Sequence, residues 1–240
     1  MLTGRVAQYL KDYLFPIFCL DCKQEGQWWC ENCLVKNGKF GVFYCPVCHL
    51  ANTNGHPCFQ CRAATPLNGV AAFLDYNEQS AVAELIKQFK YQFAYDINNV
   101  WQKIINLSLD KIILQMEMNS TLPTVIPVPL HKKRQRERGF NQAEMIARLI
   151  HARLSMYYLA YFDNCNLQRK KPTQQQAKLK RSDRIKNLQG AFIWNSSLPP
   201  CKNIILVDDV YTSGVTLSEC ALILKQAGAQ KVFGLTLARD

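Results

Sequence analysis

The sequence predicts an α/β domain built on a mostly parallel sheet flanked by helices, preceded by a small cysteine-rich domain. Two observations predict this architecture. After residue 66, short apolar and β-branched segments alternate with segments of helical periodicity, as in parallel sheets covered by helices. Before residue 65, eight of the eleven cysteines form four CxxC pairs. The chain of 240 residues suffices for one such domain with an appendage, so we expect domains at 1–65 and 66–240.

The first 18 residues predict a short amphipathic helix that ends at Pro16. Arg5, Lys11 and Asp12 interrupt its apolar pattern, which is unlike the continuous apolar core of a secretion signal. No apolar run in the chain approaches the roughly 20 residues that cross a bilayer. We therefore expect a cytoplasmic protein without a membrane span.

The four CxxC pairs predict two structural zinc sites. Each pair places two thiolates on one tight turn, and two turns complete a tetrahedral site with no open coordination position. Zinc is the expected occupant because disulfides are disfavoured in the cytoplasm. Neighbouring pairs could share a site, or the first pair could join the third and the second the fourth; the short separations favour neighbours. The predicted ligands are Cys19, Cys22, Cys30, Cys33, Cys45, Cys48, Cys58 and Cys61.

The elements of the larger domain follow from its apolar patterning. Strands are predicted at 70–76, 124–128, 157–161, 192–194, 204–207 and 231–237, and helices at 79–91, 94–115 and 215–227. Another helix is predicted to open in the basic segment after Pro129 and to run through Arg153. The span 163–187 is polar and has no apolar period, which predicts a long loop of the kind that often serves as a lid.

The most informative segment is 205–216, with the sequence ILVDDVYTSGVT. Its apolar residues predict a buried parallel strand, and Asp208 and Asp209 stand at the strand's C-terminal end, where open α/β sheets bind ligands. The hydroxyl-rich turn that follows starts a helix, whose free N–H groups suit a phosphate. Gly214 allows the backbone to approach that ligand closely. Because the carboxylates can accept hydrogen bonds from vicinal hydroxyls, we expect a ribose 5-phosphate.

The excess positive charge lies in the middle of the chain. Between His131 and Lys186 there are 15 Lys and Arg and 4 Asp and Glu, which accounts for the whole net charge of +11. This concentration suits a polyanion, either pyrophosphate or nucleic acid. Any single lysine of the segment could equally be a solvated surface residue.

Segment 205–216 resembles the signature loop of the type I phosphoribosyltransferases, which bind phosphoribosyl pyrophosphate (PRPP). The resemblance extends over nearly the whole chain to the ComF family of competence proteins, related to amidophosphoribosyltransferase-like proteins. It rests on the cysteine-rich head followed by IPVPLHKKRQRERGFNQAEMIA, RKKPTQQQAKLKRSDRIKNLQGAF and ILVDDVYTSGVT. The resemblance implies a type I phosphoribosyltransferase fold with an N-terminal zinc ribbon. It also implies a role in natural transformation, handling incoming single-stranded DNA alongside a helicase or recombination mediator.

The resemblance further implies a site at defined positions. Asp208 and Asp209 would bind the ribose hydroxyls, directly or through Mg²⁺. The 5′-phosphate would lie in the turn formed by Tyr211, Thr212, Ser213, Gly214, Val215 and Thr216. The pyrophosphate loop would include Pro129, Leu130, His131 and Arg134. The flexible loop, or a DNA-binding surface, would include Arg136, Arg138, Arg169, Lys170, Lys178, Arg181 and Arg184.

Three functions are compatible with these features. The preferred one is a PRPP-binding protein that uses its basic segment on single-stranded DNA, with Phe140 either stacking on bases or packing in the core. A second is a Mg²⁺-dependent phosphoribosyltransferase acting on an unidentified acceptor, with no direct role on DNA. A third is a PRPP-sensing regulator of duplex DNA, which is disfavoured because no helix-turn-helix pattern stands out.

Overall fold

The computed structural model describes residues 16–76, 80–91, 95–117, 123–171 and 188–239. The predicted N-terminal helix and the predicted site residues Lys178, Arg181 and Arg184 lie outside these ranges. The strands are β1 (Phe40–Phe43), β2 (Gly69–Asp75), β3 (Thr124–Pro127), β4 (Tyr161–Phe162), β5 (Leu167–Arg169), β6 (Phe192–Trp194), β7 (Asn203–Tyr211) and β8 (Lys231–Arg239). The helices are α1 (Glu31–Asn37), α2 (Ala81–Tyr91), α3 (Tyr95–Gln115), α4 (Lys132–Arg138), α5 (Gln142–Leu154) and α6 (Val215–Gln226), with a 3₁₀ helix at Phe59–Ala64.

A six-stranded sheet forms the centre of the molecule, in the order β1-β2-β8-β7-β3-β4. All neighbouring strands are parallel except β1, which pairs antiparallel with β2. Strands β5 and β6 form a separate antiparallel pair. The predicted α/β class with a mostly parallel sheet is thus confirmed.

Helices cover both faces of this sheet, which explains why its central strands are continuously apolar. On one face α2, α3 and α5 pack over the sheet, and α5 buries Ile146, Ile150 and Leu154 along one side. On the other face α6 packs through Leu217 and Leu224, beside β5 and β6. Within the described ranges, no helix combines the length and the apolar character needed to span a membrane.

The cysteine-rich region contributes the edge strand β1 to the central sheet. Phe40 pairs with Leu74 and Val42 with Ala72 of β2. Residues around the first two CxxC pairs pack into the core on the α3 face, whereas Tyr44 packs into the core on the α6 face. The cysteine-rich region therefore flanks the sheet on both sides of β1. A domain boundary between residues 65 and 66 remains a prediction.

Three predicted elements differ from the structure. The single helix predicted after Pro129 is two helices, because Gly139 ends α4 in a left-handed conformation with φ of +79° and Asn141 starts α5. The predicted loop 163–187 contains β5, which pairs with β6. The predicted strand 157–161 is a strand only at Tyr161–Phe162, since residues 155–157 form a turn after α5.

Strand β7 also extends beyond its predicted end at residue 207. It continues through both aspartates to Tyr211, because β8 pairs alongside it as far as Arg239. The aspartates thus lie within the last residues of a strand, whose hydrogen bonds to β8 hold their backbone in place.

Candidate functional site

The eight CxxC cysteines form two clusters, each built from successive pairs. In each cluster all four Sγ atoms lie within 4.8 Å of one another. The first cysteine cluster comprises Cys19, Cys22, Cys30 and Cys33, and the second comprises Cys45, Cys48, Cys58 and Cys61. The favoured pairing of neighbours is confirmed, and the interleaved pairing does not occur.

The spacing of the sulfur atoms fits zinc. The Sγ atoms of Cys22 and Cys30 are 3.6 Å apart, and those of Cys45 and Cys58 are 3.9 Å apart. A tetrahedral zinc with Zn–S bonds of about 2.3 Å separates its sulfurs by about 3.8 Å. A disulfide would bring them to about 2.05 Å, and all eight thiols are free. Each cluster could therefore hold one zinc ion.

Backbone N–H groups favour the thiolate form of one cysteine in each cluster, Cys19 and Cys45. The N–H of Cys30 lies 3.4 Å from the Sγ of Cys19. Burial alone would raise the pKa of Cys19, but N–H groups of Cys30, Cys22 and Asp21 lower it to about 6. The same two opposing effects bring the pKa of Cys45 to about 6. This pattern is expected for a turn that presents thiolates to zinc.

Asp208 and Asp209 are held by their own backbone near the C-terminal end of β7. The N–H of Asp209 donates to Oδ1 of Asp208 at 2.9 Å, and the N–H of Val210 donates to Oδ1 of Asp209 at 2.7 Å. Both carboxylates are half-buried. They stand at the carboxyl edge of the sheet, where α/β proteins bind their ligands.

The turn after β7 leads directly into α6. Thr212 is exposed, whereas Ser213 and Thr216 are half-buried. Gly214 is the N-cap of α6 and has φ of +71°, and as a glycine it provides no side chain to cap the first N–H groups of the helix. Those N–H groups and the neighbouring hydroxyls form a suitable cradle for an anion.

The side chain of Tyr211 does not face this cradle. Its ring is 1% exposed, and its Oη donates a hydrogen bond of 2.8 Å to the carbonyl oxygen of Pro46. Tyr211 is one of the turn residues predicted to surround the phosphate, but its side chain is buried in the interior. It can contribute to phosphate binding only through its backbone or by supporting the turn.

Arg169 lies close enough to Asp208 and to Arg134 to interact electrostatically with both. Burial lowers the pKa of Arg169, the nearby charge of Arg134 lowers it further, and Asp208 acts in the opposite direction. Burial, and then the charge of Arg138, lowers the pKa of Arg134. Nη2 of Arg134 is buried and has no hydrogen-bond partner among the described residues. An anion between these guanidiniums would relieve both the repulsion and the missing hydrogen bond.

The loop between β3 and α5 is arranged around two caps. His131 is the N-cap of α4, and its Nδ1 accepts a hydrogen bond of 3.2 Å from the N–H of Lys133. Asn141 is the N-cap of α5, and its Nδ2 also donates to the carbonyl oxygen of Val128. Pro129 and Leu130 are half-buried between β3 and α4. Four residues of the predicted pyrophosphate loop thus lie next to the end of β3, beside β7.

Three other predicted basic residues lie within the described ranges. Arg136 and Lys170 are exposed, and Arg138 is half-buried with its Nη1 donating to Gln142 at 3.3 Å. Phe140 packs against the core, with its ring 6.2 Å from that of Phe89. The core interpretation of Phe140 is therefore favoured over base stacking.

Sequence analysis missed two residues that organise this region. Asn141 could have been found, because Asn followed three residues later by Glu144 is a helix N-terminal pattern. Arg239 had no such signal. Its Nη2 donates to the carbonyl oxygen of His49 at 2.6 Å, and its guanidinium lies 4.5 Å from the centre of the Tyr44 ring.

Comparison with known proteins identifies relatives over most of the chain. Competence protein ComFC of Bacillus subtilis is 28% identical over 219 residues, which cover 88% of this chain and 84% of the relative. Competence protein F of Haemophilus influenzae is 33% identical over 158 residues, covering 65% and 66%. DNA utilization protein YhgH of Escherichia coli K12 is 28% identical over 224 residues, covering 90% and 94%. No protein-family model matches the chain.

The chain is similar to known competence proteins. The matches to ComFC and YhgH extend over 88% and 90% of this chain. These relatives support the resemblance to the ComF family that the motifs indicated.

Proposed function

We propose that this protein binds PRPP, or a related ribose phosphate, at the carboxyl edge of its sheet and takes part in natural transformation. The observation that carries the ligand proposal is the convergence of Asp208, the turn before α6, and Arg134 with Arg169. Asp208 and the turn belong to one continuous segment, whereas Arg134 and Arg169 come from two others. Together they offer acceptors for ribose hydroxyls, N–H donors for a 5′-phosphate and cations for a pyrophosphate.

The charges of the site match the charges of PRPP. The helix terminus at Gly214 favours one phosphate group. Arg134 and Arg169 favour a second anionic group, since their positive charges are partly buried and repel each other. Carboxylates are also the oxygen ligands that Mg²⁺ prefers, so Asp208 and Asp209 could hold a Mg²⁺ ion that arrives with the pyrophosphate.

The role in transformation is inferred from the relatives. ComFC and competence protein F are named for competence, and YhgH for DNA utilization. The exposed residues Arg136 and Lys170 supply positive charge near the proposed site, and such charge binds the backbone of single-stranded DNA. We propose that the incoming single strand is the nucleic acid that this protein contacts, alongside a helicase or recombination mediator.

Calorimetric titration of PRPP with Mg²⁺ tests the ligand proposal. Replacing both carboxylates, Asp208→Asn with Asp209→Asn, removes two charged acceptors and is expected to weaken binding by at least about 100-fold. Asp110→Asn is the matched control, because Asp110 lies on α3 and pairs with Arg153. Binding that survives in the double variant would contradict the proposal.

Release of pyrophosphate in the same samples distinguishes an enzyme from a binding protein. A phosphoribosyltransferase would release pyrophosphate once its acceptor is supplied, and the double variant would release none. The pocket residues would then position the ribose and stabilise the leaving pyrophosphate through charge. A binding protein would hold PRPP intact in every sample.

Salt titration of single-strand affinity tests the DNA proposal. If Arg136 contacts a phosphate, Arg136→Gln should reduce the slope of log K against log salt by about 0.7. Lys23→Gln is a control, because this exposed lysine lies beside the first cysteine cluster and donates to the carbonyl oxygen of Leu20. Equal slopes for wild type and Arg136→Gln would remove Arg136 from the DNA interface.

A further inference from the structure

The second cysteine cluster is joined to the proposed phosphate turn by one buried phenol. Pro46 lies between Cys45 and Cys48, on the turn that carries two of the metal ligands. Its carbonyl oxygen accepts the hydrogen bond of 2.8 Å from Oη of Tyr211. Tyr211 is the last residue of β7, immediately before the turn that leads into α6. The position of the metal-binding turn therefore decides where the phenol can lie.

The same hydroxyl end of the phenol also lies against the phosphate turn. A Cβ atom placed on Gly214 would lie 2.1 Å from Oη and 2.5 Å from Cζ of Tyr211. The backbone of Gly214 thus rests directly on the ring, and only a glycine fits there. The phenol fills the space between the metal-binding turn and the N-cap of α6, so a shift of either one must displace it.

Two further contacts fix the metal-binding turn at this edge of the sheet. The carbonyl oxygen of His49 accepts a hydrogen bond of 2.6 Å from Arg239, at the end of β8. The rings of His49 and Tyr44 lie 5.7 Å and 4.9 Å from that of Tyr211. The turn is therefore held to the ends of both β7 and β8, next to the residues proposed to bind the ligand.

The first cysteine cluster provides a comparison within the same chain. Its residues Trp29, Cys30 and Leu34 pack into the core on the α3 face of the sheet. Lys103 of α3 donates to Gln27, between the two CxxC pairs of that cluster. The two clusters have similar sulfur geometry but lie against different parts of the fold. Ligand binding at the phosphate turn should therefore change metal retention in the second cluster and not in the first.

We infer that metal in the second cysteine cluster and a ribose phosphate in the turn before α6 stabilise each other, with Tyr211 as the positioning residue between them. This inference rests on the proposed function. Metal coordination holds the Pro46 carbonyl, the carbonyl orients the phenol, and the phenol supports Gly214. Coupling between two binding equilibria is reciprocal, so a bound ribose phosphate must also retain the metal of the second cluster.

The test measures zinc release from the full-length protein to a chromogenic chelator, with and without PRPP and Mg²⁺. Alkylation of the released thiols, followed by peptide mass spectrometry, assigns each phase of release to one cluster. We expect PRPP to slow release from the second cluster by about 5-fold or more and to leave the first cluster unchanged. Mg²⁺ alone serves as the reference condition.

Tyr211→Phe is the diagnostic variant because it removes only the hydroxyl that reaches Pro46. We expect its second cluster to lose zinc about 5-fold faster than in wild type without ligand, the effect of one hydrogen bond, and to gain less protection from PRPP. Tyr44→Phe removes a hydroxyl from the neighbouring ring and leaves the Pro46 bond intact. It should match wild type in both measurements.

The outcomes separate this inference from the proposed function. If calorimetry detects PRPP binding but zinc release is the same with and without PRPP, the coupling is wrong and the proposed function stands. Equal release from Tyr211→Phe and wild type would likewise overturn the role of Tyr211. If wild type binds no PRPP, the proposed function fails, and the coupling fails with it.

Discussion

Nδ2 of Asn141 donates a hydrogen bond of 3.0 Å to the carbonyl oxygen of Val128. Oδ1 of the same side chain accepts from the N–H of Ala143 at 3.1 Å and caps α5. One buried amide therefore closes the loop from the end of β3 to the start of α5. That loop carries Arg134 and the other residues proposed to receive pyrophosphate.

Asn141→Ala should destabilise the protein and weaken ligand binding. The loss of the cap and of the bond to Val128 should reduce the free energy of unfolding by about 1–3 kcal/mol. Urea denaturation measures this change. Asn164→Ala is the control, because Asn164 is exposed and donates to Glu144 on the surface. If Asn141→Ala were as stable as Asn164→Ala, the loop would not depend on this amide.

Gly214→Ala should lower the thermal stability of the protein more than Gly190→Ala, although both replacements cause similar backbone strain. Gly214 and Gly190 have φ of +71° and +65°, so each alanine incurs the cost of a left-handed residue, about 1 kcal/mol. Only at Gly214 does the new Cβ also collide with Tyr211, whereas at Gly190 the nearest atom is Nζ of Lys171 at 3.5 Å. Thermal unfolding compares the two variants. Equal destabilisation would mean that the phenol moves aside without cost.

Arg169→Gln and Lys170→Gln should separate pyrophosphate binding from general positive charge. The two residues are adjacent in sequence but differ in environment, because Arg169 is half-buried over the Phe192 ring and Lys170 is exposed. We expect Arg169→Gln to weaken pyrophosphate binding by about 10-fold or more, the effect of one charge-assisted hydrogen bond. Lys170→Gln should change it by less than about 2-fold. Competition calorimetry with pyrophosphate provides the measurement, and equal effects would argue against a defined anion site.

Removal of zinc should destabilise the whole fold. Trp29 and Cys30 belong to the core on the α3 face, Tyr44 belongs to the core on the α6 face, and β1 is part of the central sheet. Loss of the metal should therefore lower the free energy of unfolding of the cores on both faces of the sheet. Elemental analysis should find two zinc ions per chain. In calorimetry, chelator should lower the main unfolding transition; an unchanged main transition, with only a small separate one lost, would mean that the cysteine region folds independently.

Several features of the site could be predicted because they depend on residues close together in sequence. The sequential cysteine pairing follows from CxxC turns separated by short segments, since a short segment can only close locally. The strand, the two aspartates and the glycine turn before α6 likewise lie within one segment of regular geometry. The capping role of Asn141 is predictable on the same grounds, because its N-terminal pattern with Glu144 is local.

Other features could not be predicted because local pattern does not specify them. The polar span 163–187 gave no sign of β5, since a strand of three residues is too short for a clear alternation and depends on β6 for its hydrogen bonds. The break between α4 and α5 depends on the left-handed Gly139, which an otherwise continuous helical pattern obscured. The end of β7 differs from its prediction for a similar reason, because pairing with β8 extends the strand beyond its apolar residues.

Sequence alone was sufficient for the α/β class, the two tetracysteine clusters and the strand–turn–helix that is proposed to bind a phosphate. Each is specified by periodicity or spacing within a short stretch. Three-dimensional packing joins β1 to the sheet, brings Arg134 near Arg169, and places Tyr211 against Pro46 across 165 positions of the chain. The physical reason is that apolar burial is nondirectional: it favours a compact core, while the sheet order and the packing of the two faces select which distant residues meet.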